Sequence, residues 1–233
     1  VRTMFRDVPI LMYHAIGETG IGGCTAVRPG VFERQMRFIR DAGYTVMPLE
    51  TYAVCLRDAT PLPRRPVVIT FDDGFADNMQ GFEILAALDL PATVFVPADS
   101  IGRCGYLSVR DLERALKMGI RIGSHTISHA YLPDLTAEAR ECEIVQSRRI
   151  LRDMFGIEAE TFAYPVSGFD REIMAMVREA GYICAVATNR GYDRRRDLFA
   201  LRRIKMTDRD LGGRLRLKLS GFYTALHRPK NPC

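Results

Sequence analysis

Two short segments of this chain could do chemistry: Thr70-Phe71-Asp72-Asp73-Gly74 and His125-Thr126-Ile127-Ser128-His129. The first sets two adjacent carboxylates at the end of an apolar run, and the second sets two imidazoles four residues apart. One carboxylate and two imidazoles suffice to hold a single divalent cation with positions left open for water and substrate. The second carboxylate is then spare, and a spare carboxylate beside a cation can act as a base near neutral pH. The combination points to a metal-dependent hydrolase. In an extended segment successive side chains alternate, so one carboxylate is expected to face the metal and its neighbour the substrate. His125 and His129 are expected on one face, a helical turn apart.

Such groups need a scaffold that brings distant segments together. Apolar runs alternate with helix-like stretches along the chain, which reads as α/β. Strands are expected at 9–13, 44–47, 66–71, 92–96, 120–123, 161–164 and 182–187. Most are continuous apolar runs, as in parallel strands covered on both faces. Between them, Phe32, Met36 and Ile39 repeat at helical spacing, as do Phe82, Leu85 and Leu88. Ser108-Val109-Arg110-Asp111 has the pattern of a helix cap. A longer helix is expected from Thr136 to Phe155, stopped by Gly156, and Asp170 is expected to cap another. About seven β-then-α units predict a distorted (β/α) barrel with seven or eight parallel strands, with a doubly wound open sheet as the other arrangement. Either would gather function beyond the C-terminal strand ends. Asp72-Asp73, His125, His14 and Pro165 all follow such ends.

The chain has 233 residues, of which 47% are apolar. That is enough for one catalytic domain spanning 1–233, with a basic C-terminal extension from about 206. No apolar run approaches the ~20 residues of a membrane span. The short charged N-terminus lacks a signal-peptide core, which favours a cytoplasmic or membrane-surface setting or a trimmed leader. The six cysteines are scattered and form no Cys-x-x-Cys pair, so they read as buried or free thiols. From Arg190 onward there are 13 Lys and Arg against 4 Asp and Glu. This asymmetry is either a solvated basic edge or an attraction to an anionic polymer, a membrane surface or a phosphorylated carrier. The alternation Arg214-Leu215-Arg216-Leu217-Lys218-Leu219 reads as an edge strand or as part of a membrane-skimming tail with Phe222 and Tyr223. Nucleic acid is an unlikely partner, since no recognised motif supports it.

The two segments, in this order and spacing, resemble the first and second motifs of the polysaccharide deacetylase family. Phe162-Ala163-Tyr164-Pro165 with Gly168 is similar to its third motif, and Pro9-Ile10-Leu11-Met12-Tyr13-His14 resembles the opening of the branch acting on poly-N-acetylglucosamine. The resemblance spans roughly residues 8–205. It implies a distorted (β/α) barrel and metal-dependent removal of N-acetyl groups from an amino sugar or related glycoconjugate. Asp72 would be the base, and Asp73, His125 and His129 the ligands of a divalent metal: zinc first, with cobalt, nickel, manganese or iron as alternatives. His14 would be the acid or a substrate contact, with His227 a weaker candidate for the acid. Ala163 stands where the family usually carries an arginine, so Arg202 or Arg203 is expected to brace Asp72. The chain has no tryptophan to line a sugar groove. The alternatives are an O-deacetylase or other amide hydrolase on this scaffold, and a carbohydrate-binding protein that keeps a metal site without catalysis.

Overall fold

The computed structural model describes residues 8–18, 25–188, 197–221 and 223. Its strands are β1 (Ile10–Tyr13), β2 (Thr45–Val46), β3 (Pro66–Phe71), β4 (Ala92–Val96), β5 (Ile120–Ser124), β6 (Thr161–Ala163), β7 (Cys184–Ala187), β8 (Leu201–Arg202) and β9 (Ile204–Lys205). They pair in the order β8-β7-β6-β5-β4-β3-β1-β9, with β2 also on β3, and every pairing is parallel. β8 and β9 lie at opposite ends of this order yet are separated in sequence by Arg203 alone. β8 pairs with β7, and β9 pairs with β1. A single extended segment thus bridges the two free edges and brings the sheet round into a nearly closed barrel. Counted as one strand broken at Arg203, β8 and β9 give eight strands.

Period-two packing sorts the strand residues cleanly. Leu11, Tyr13, Val67, Ile69, Phe71, Val94, Val96, Ile120, Ile122 and Ile204 join the outer core beneath the helices. Val8, Ile10, Val68, Phe95, Ala163, Cys184, Val186 and Leu201 form the interior cluster. Leu49, Tyr52 and Ala53 of α2 (Leu49–Arg57) belong to the interior cluster too, so this helix plugs the barrel at the end away from the C-terminal strand tips. The outer layer includes α1 (Pro29–Asp41), α3 (Asn78–Ala87) and α4 (Val109–Lys117). α1 buries Phe32, Met36 and Ile39, as their spacing predicts, and Val31 beside them. Ser108 and Asp111 form a reciprocal capping box at the start of α4.

The predicted long helix is present with a fault in it. α5 (Ala137–Glu141) and α6 (Ser147–Phe155) are joined by a π-helical turn, Cys142–Gln146, and Gly156 ends the run in the left-handed conformation. Asp170 caps α7 (Arg171–Glu179) by accepting the N–H of Ile173 at 2.8 Å. The alternating segment near the C-terminus is not an edge strand. It is α8 (Gly212–Leu219), whose Leu215 and Leu219 are consumed by the outer core. Lys218 turns inward to the buried carboxylate of Asp210 at 2.7 Å. Apolar residues four apart outrank the period-two alternation once a core is there to receive them. Arg194, Arg195, Arg196, Phe222 and His227 lie outside the described residues. No described helix is long and apolar enough to cross a membrane. Cys55, Cys104, Cys142 and Cys184 are free thiols.

Candidate active site

The functional side chains continue the interior rows of the strands. His14 follows Met12, Asp72 follows Thr70, His125 follows Gly123 and Arg203 follows Leu201, each two residues on. The interior parity therefore aims all four into the barrel mouth at the C-terminal strand ends.

Asp72 is 4% exposed and Arg203 1% exposed. The guanidinium grips the carboxylate with two parallel hydrogen bonds, Nη1 to Oδ1 at 2.5 Å and Nη2 to Oδ2 at 2.6 Å. This fork is the strongest geometry available to such a pair. Nη1 also donates to Thr70 Oγ1 at 3.3 Å, and Arg203 lies over the ring of Phe95 at 5.5 Å. Phe95 fits there because position 123 is glycine: a Cβ at Gly123 would sit 2.5 Å from its ring. Burial alone would raise the pKa of Asp72, but the fields of Arg203 and His125 outweigh it and hold the group below its usual value.

Asp73 does not continue the strand. Its φ is +69° and that of Gly74 is +67°. The expected simple alternation of the two carboxylates is thus replaced by a left-handed step, which aspartate tolerates better than most residues. A side chain at Gly74 would meet Val96 at 2.7 Å. The step turns Asp73 toward the two histidines: its Oδ1 lies 3.5 Å from His125 Nε2 and 3.3 Å from His129 Nε2. The expectation that the histidines share a helical face is not met. The 125–129 segment is a loop with Thr126 at φ +66° and His129 at φ +60°, and the two rings meet edge to face with centroids 4.7 Å apart.

The three donor groups fit a cation. They offer atoms within 4.8 Å of one another. Ligands at ~2.0–2.1 Å in a tetrahedral shell sit roughly 3.3 Å apart, close to the two separations from Asp73. The tautomer agrees. His125 Nδ1 is 2.7 Å from the carbonyl oxygen of Ala163. A carbonyl only accepts, so Nδ1 carries the proton and a neutral ring turns the Nε2 lone pair toward Asp73. A lone pair facing a carboxylate is repulsive unless a positive centre lies between them. Burial pushes the Asp73 carboxyl up, yet its hydrogen bonds with His125 and His129 prevail and hold it far below its usual value; burial pushes the His129 imidazole down, yet Asp73 prevails and holds it above.

His14 joins the group from β1, the neighbour of β3. Burial lowers its pKa, while the nearby charges of Asp72 and Asp73 oppose that shift. Its backbone carbonyl accepts from Asn78 Nδ2 at 2.6 Å, and the adjacent Asp77 Oδ1 accepts the N–H of Ile16 at 3.1 Å.

Comparison with known proteins decides what this constellation belongs to. Residues 59–185 match the family model described as polysaccharide deacetylase. The chain is 32% identical over 203 residues to YxkH, a polysaccharide-deacetylase-like protein of Bacillus subtilis (strain 168), covering 86% of this chain and 71% of that one. The chain belongs to the polysaccharide deacetylase family. It is a deacetylase of the class that hydrolyses N-acetyl amide bonds with a metal ion. A polysaccharide deacetylase of Bacillus cereus superposes with a TM-score of 0.80 at 27% identity, over 91% of this chain and 68% of that one. The Streptococcus pyogenes deacetylase PplD, solved with acetate, shares the fold with a TM-score of 0.84 at 24% identity, over 91% of this chain and 97% of that one.

In this deacetylase the structure brings together all five sequence candidates: His14, Asp72, Asp73, His125 and His129. Of the two arginines expected to brace Asp72, Arg203 does so and Arg202 does not. The third-motif turn, Pro165–Ser167, carries two consecutive non-glycine residues in the left-handed region, Val166 at φ +51° and Ser167 at φ +58°. A Cβ on the following Gly168 would strike the ring of Tyr131 at 2.3 Å. Sequence reasoning passed over Asn78, Asp77 and Glu143, whose carboxylate accepts the N–H groups of Ile127 and Ser128 in the loop between the histidines. Asp77 and Asn78 closely follow the Asp-Asp-Gly step, and that closeness was the one available signal. Glu143 had none, because its place depends on the π-helical turn.

Proposed function

We propose that this deacetylase removes the N-acetyl group from N-acetylglucosamine units of a glycan. One divalent cation, zinc by preference, would be held by Asp73, His125 and His129. A Bacillus cereus relative, named peptidoglycan-N-acetylglucosamine deacetylase, is 27% identical over 124 residues, which cover 52% of this chain and 56% of that one, and lends support to the sugar. The observation that carries the reading is the convergence of two imidazole nitrogens on Asp73 while Asp72, next in the chain, is held apart by Arg203. Binding alone has no use for that second, separately braced carboxylate, which disfavours a site that only holds sugar.

The cation would supply Lewis acidity toward the acetamide oxygen and a bound water of lowered pKa. Asp72, kept ionised by Arg203, takes a proton from the attacking water. The paired guanidinium fixes which way the carboxylate oxygens point and so orients that transfer. His14, as imidazolium, passes its proton to the departing nitrogen as the carbon–nitrogen bond breaks, and the proton taken up by Asp72 then restores it. The products are acetate and a free amine.

Product analysis tests the reaction. Incubated with N-acetylglucosamine oligomers, the metal-loaded protein should release acetate and primary amine in equal amounts, and a chelator should stop both. Acetate without amine from an O-acetylated glycan, and none from the N-acetylated one, would move the assignment to ester hydrolysis.

A further inference from the structure

The loop between the two histidine ligands is not self-supporting. Its turns at Thr126 and His129 both lie in the left-handed region, and Thr126 is branched at Cβ, where that conformation is most strained. Some ties are internal: Ser124 Oγ accepts the N–H of Thr126 at 3.3 Å, and Thr126 Oγ1 accepts the N–H of His129 at 3.0 Å. The carbonyls of Thr126 and Ile127 accept from the N–H groups of Ala98 and Asp99. The N–H groups of Ile127 and Ser128 are left over, and both go to one side chain. Glu143 Oε2 accepts them at 2.8 and 3.0 Å, and Glu143 Oε1 accepts the Ser128 hydroxyl at 2.6 Å.

Glu143 reaches the loop from the π-helical turn Cys142–Gln146. Such a turn holds one residue more than an α-turn and rotates the downstream helix face by about 100° relative to the upstream one. On its far side Ser147 Oγ meets Ser124 Oγ at 2.8 Å, at the end of the strand that delivers His125. The carbonyl of Ile144, inside the turn, accepts from both Ser147 Oγ and Tyr182 Oη at 3.0 Å. The irregular turn therefore grips the histidine-bearing segment at two points, the strand end and the loop.

We propose that Glu143 is a positioning residue of the metal site: its carboxylate holds the 126–129 loop in the conformation that turns His129 toward Asp73 before any ion arrives. The inference rests on Asp73, His125 and His129 being the ligands. Without Glu143 the incoming ion must itself order the loop, so the loss falls on metal affinity. Once metal saturates the site, the chemical step is largely preserved.

The test is a zinc titration of the chelator-stripped protein against a competing indicator. Thermal melts of the metal-free and zinc-loaded forms accompany it. Glu143→Ala should raise the zinc Kd about 10–100-fold, the range typical of groups that orient metal ligands. It should shrink the rise in Tm on zinc loading, with kcat at saturating zinc within a few-fold of the parent. Glu143→Gln, which can still accept both N–H groups and donate to Ser128 Oγ, should recover most of the affinity. A parental zinc Kd in Glu143→Ala would overturn the proposal. So would an equal fall in Tm for the metal-free and loaded forms, which would mark Glu143 as a prop of the fold at large. Should Glu143→Ala fail to fold, Ser128→Ala carries the same reading: it should weaken zinc measurably, and an unchanged Kd would overturn the proposal. His129→Ala is the separate control on the ligand assignment. If it binds zinc like the parent, that assignment fails whatever Glu143 does.

Discussion

Asp72 and Asp73 are chemically identical neighbours with different tasks, and what separates them is the company each keeps. Asp73, tipped out of the strand by its left-handed backbone, faces two imidazole nitrogens. Asp72 stays in the strand row and is clamped by Arg203 in a setting almost closed to water. Removing one partner of a buried ion pair costs about 3–5 kcal/mol, because the other charge stays desolvated and unpaired. Arg203→Met should therefore lower unfolding stability in urea by about that much, whereas the double variant Arg203→Met/Asp72→Asn should recover a good part of the loss. A single variant as stable as the parent would show that the pair is not the closed, dry contact described here.

At the scale of elements, much was legible. Strand ends that offer Asp-Asp-Gly, His125 and His14 on one side of a barrel follow from apolar runs and period-two alternation, and the Ser108 cap follows from its spacing. What escaped the sequence depends on tertiary contact. Thr126, His129, Val166 and Ser167 take left-handed conformations that no local propensity favours; packing and side-chain hydrogen bonds impose them. The π-helical turn is one inserted residue inside an otherwise regular helical pattern. The C-terminal alternation misled because Leu215 and Leu219 fit a helix as well as a strand, and only the core chooses between them. α2 adds a cost that sequence could not register. Its Glu50 lies against the barrel floor with Oε2 buried and unpartnered among the described residues. Burial raises its pKa, with Arg121 only partly offsetting that. A carboxyl whose pKa is raised by folding binds its proton more tightly in the native state, so stability declines as pH climbs through that range. Glu50→Gln should thus gain Tm over the parent at pH 7 and gain less at pH 4. An equal gap at both pH values would contradict a raised pKa at this site.

Seen whole, the molecule is completed late in its sequence. The matched family segment, 59–185, contains Asp72, Asp73, His125 and His129 but neither β1 nor the β8–β9 segment. It therefore lacks His14 and Arg203, exposes an edge of β3, cuts β7 after its second residue, and leaves Asp72 without its cation. Expressed alone, a 59–185 fragment should show no cooperative thermal transition by circular dichroism, while the full chain melts in one step. A fragment that melts cooperatively would mean that barrel closure contributes little. The basic character of the C-terminal part is also partly internal, since Arg203 braces the base and Lys218 neutralises buried Asp210.

The division of labour between the two carboxylates is tested most directly by Asp72→Asn, with bound metal and released acetate counted in the same preparation. Loss of a general base typically costs ~10²–10⁴-fold in rate. The variant should keep one ion per chain while turnover falls by that factor. Turnover at the parental rate, or an ion lost together with the carboxylate, would contradict it.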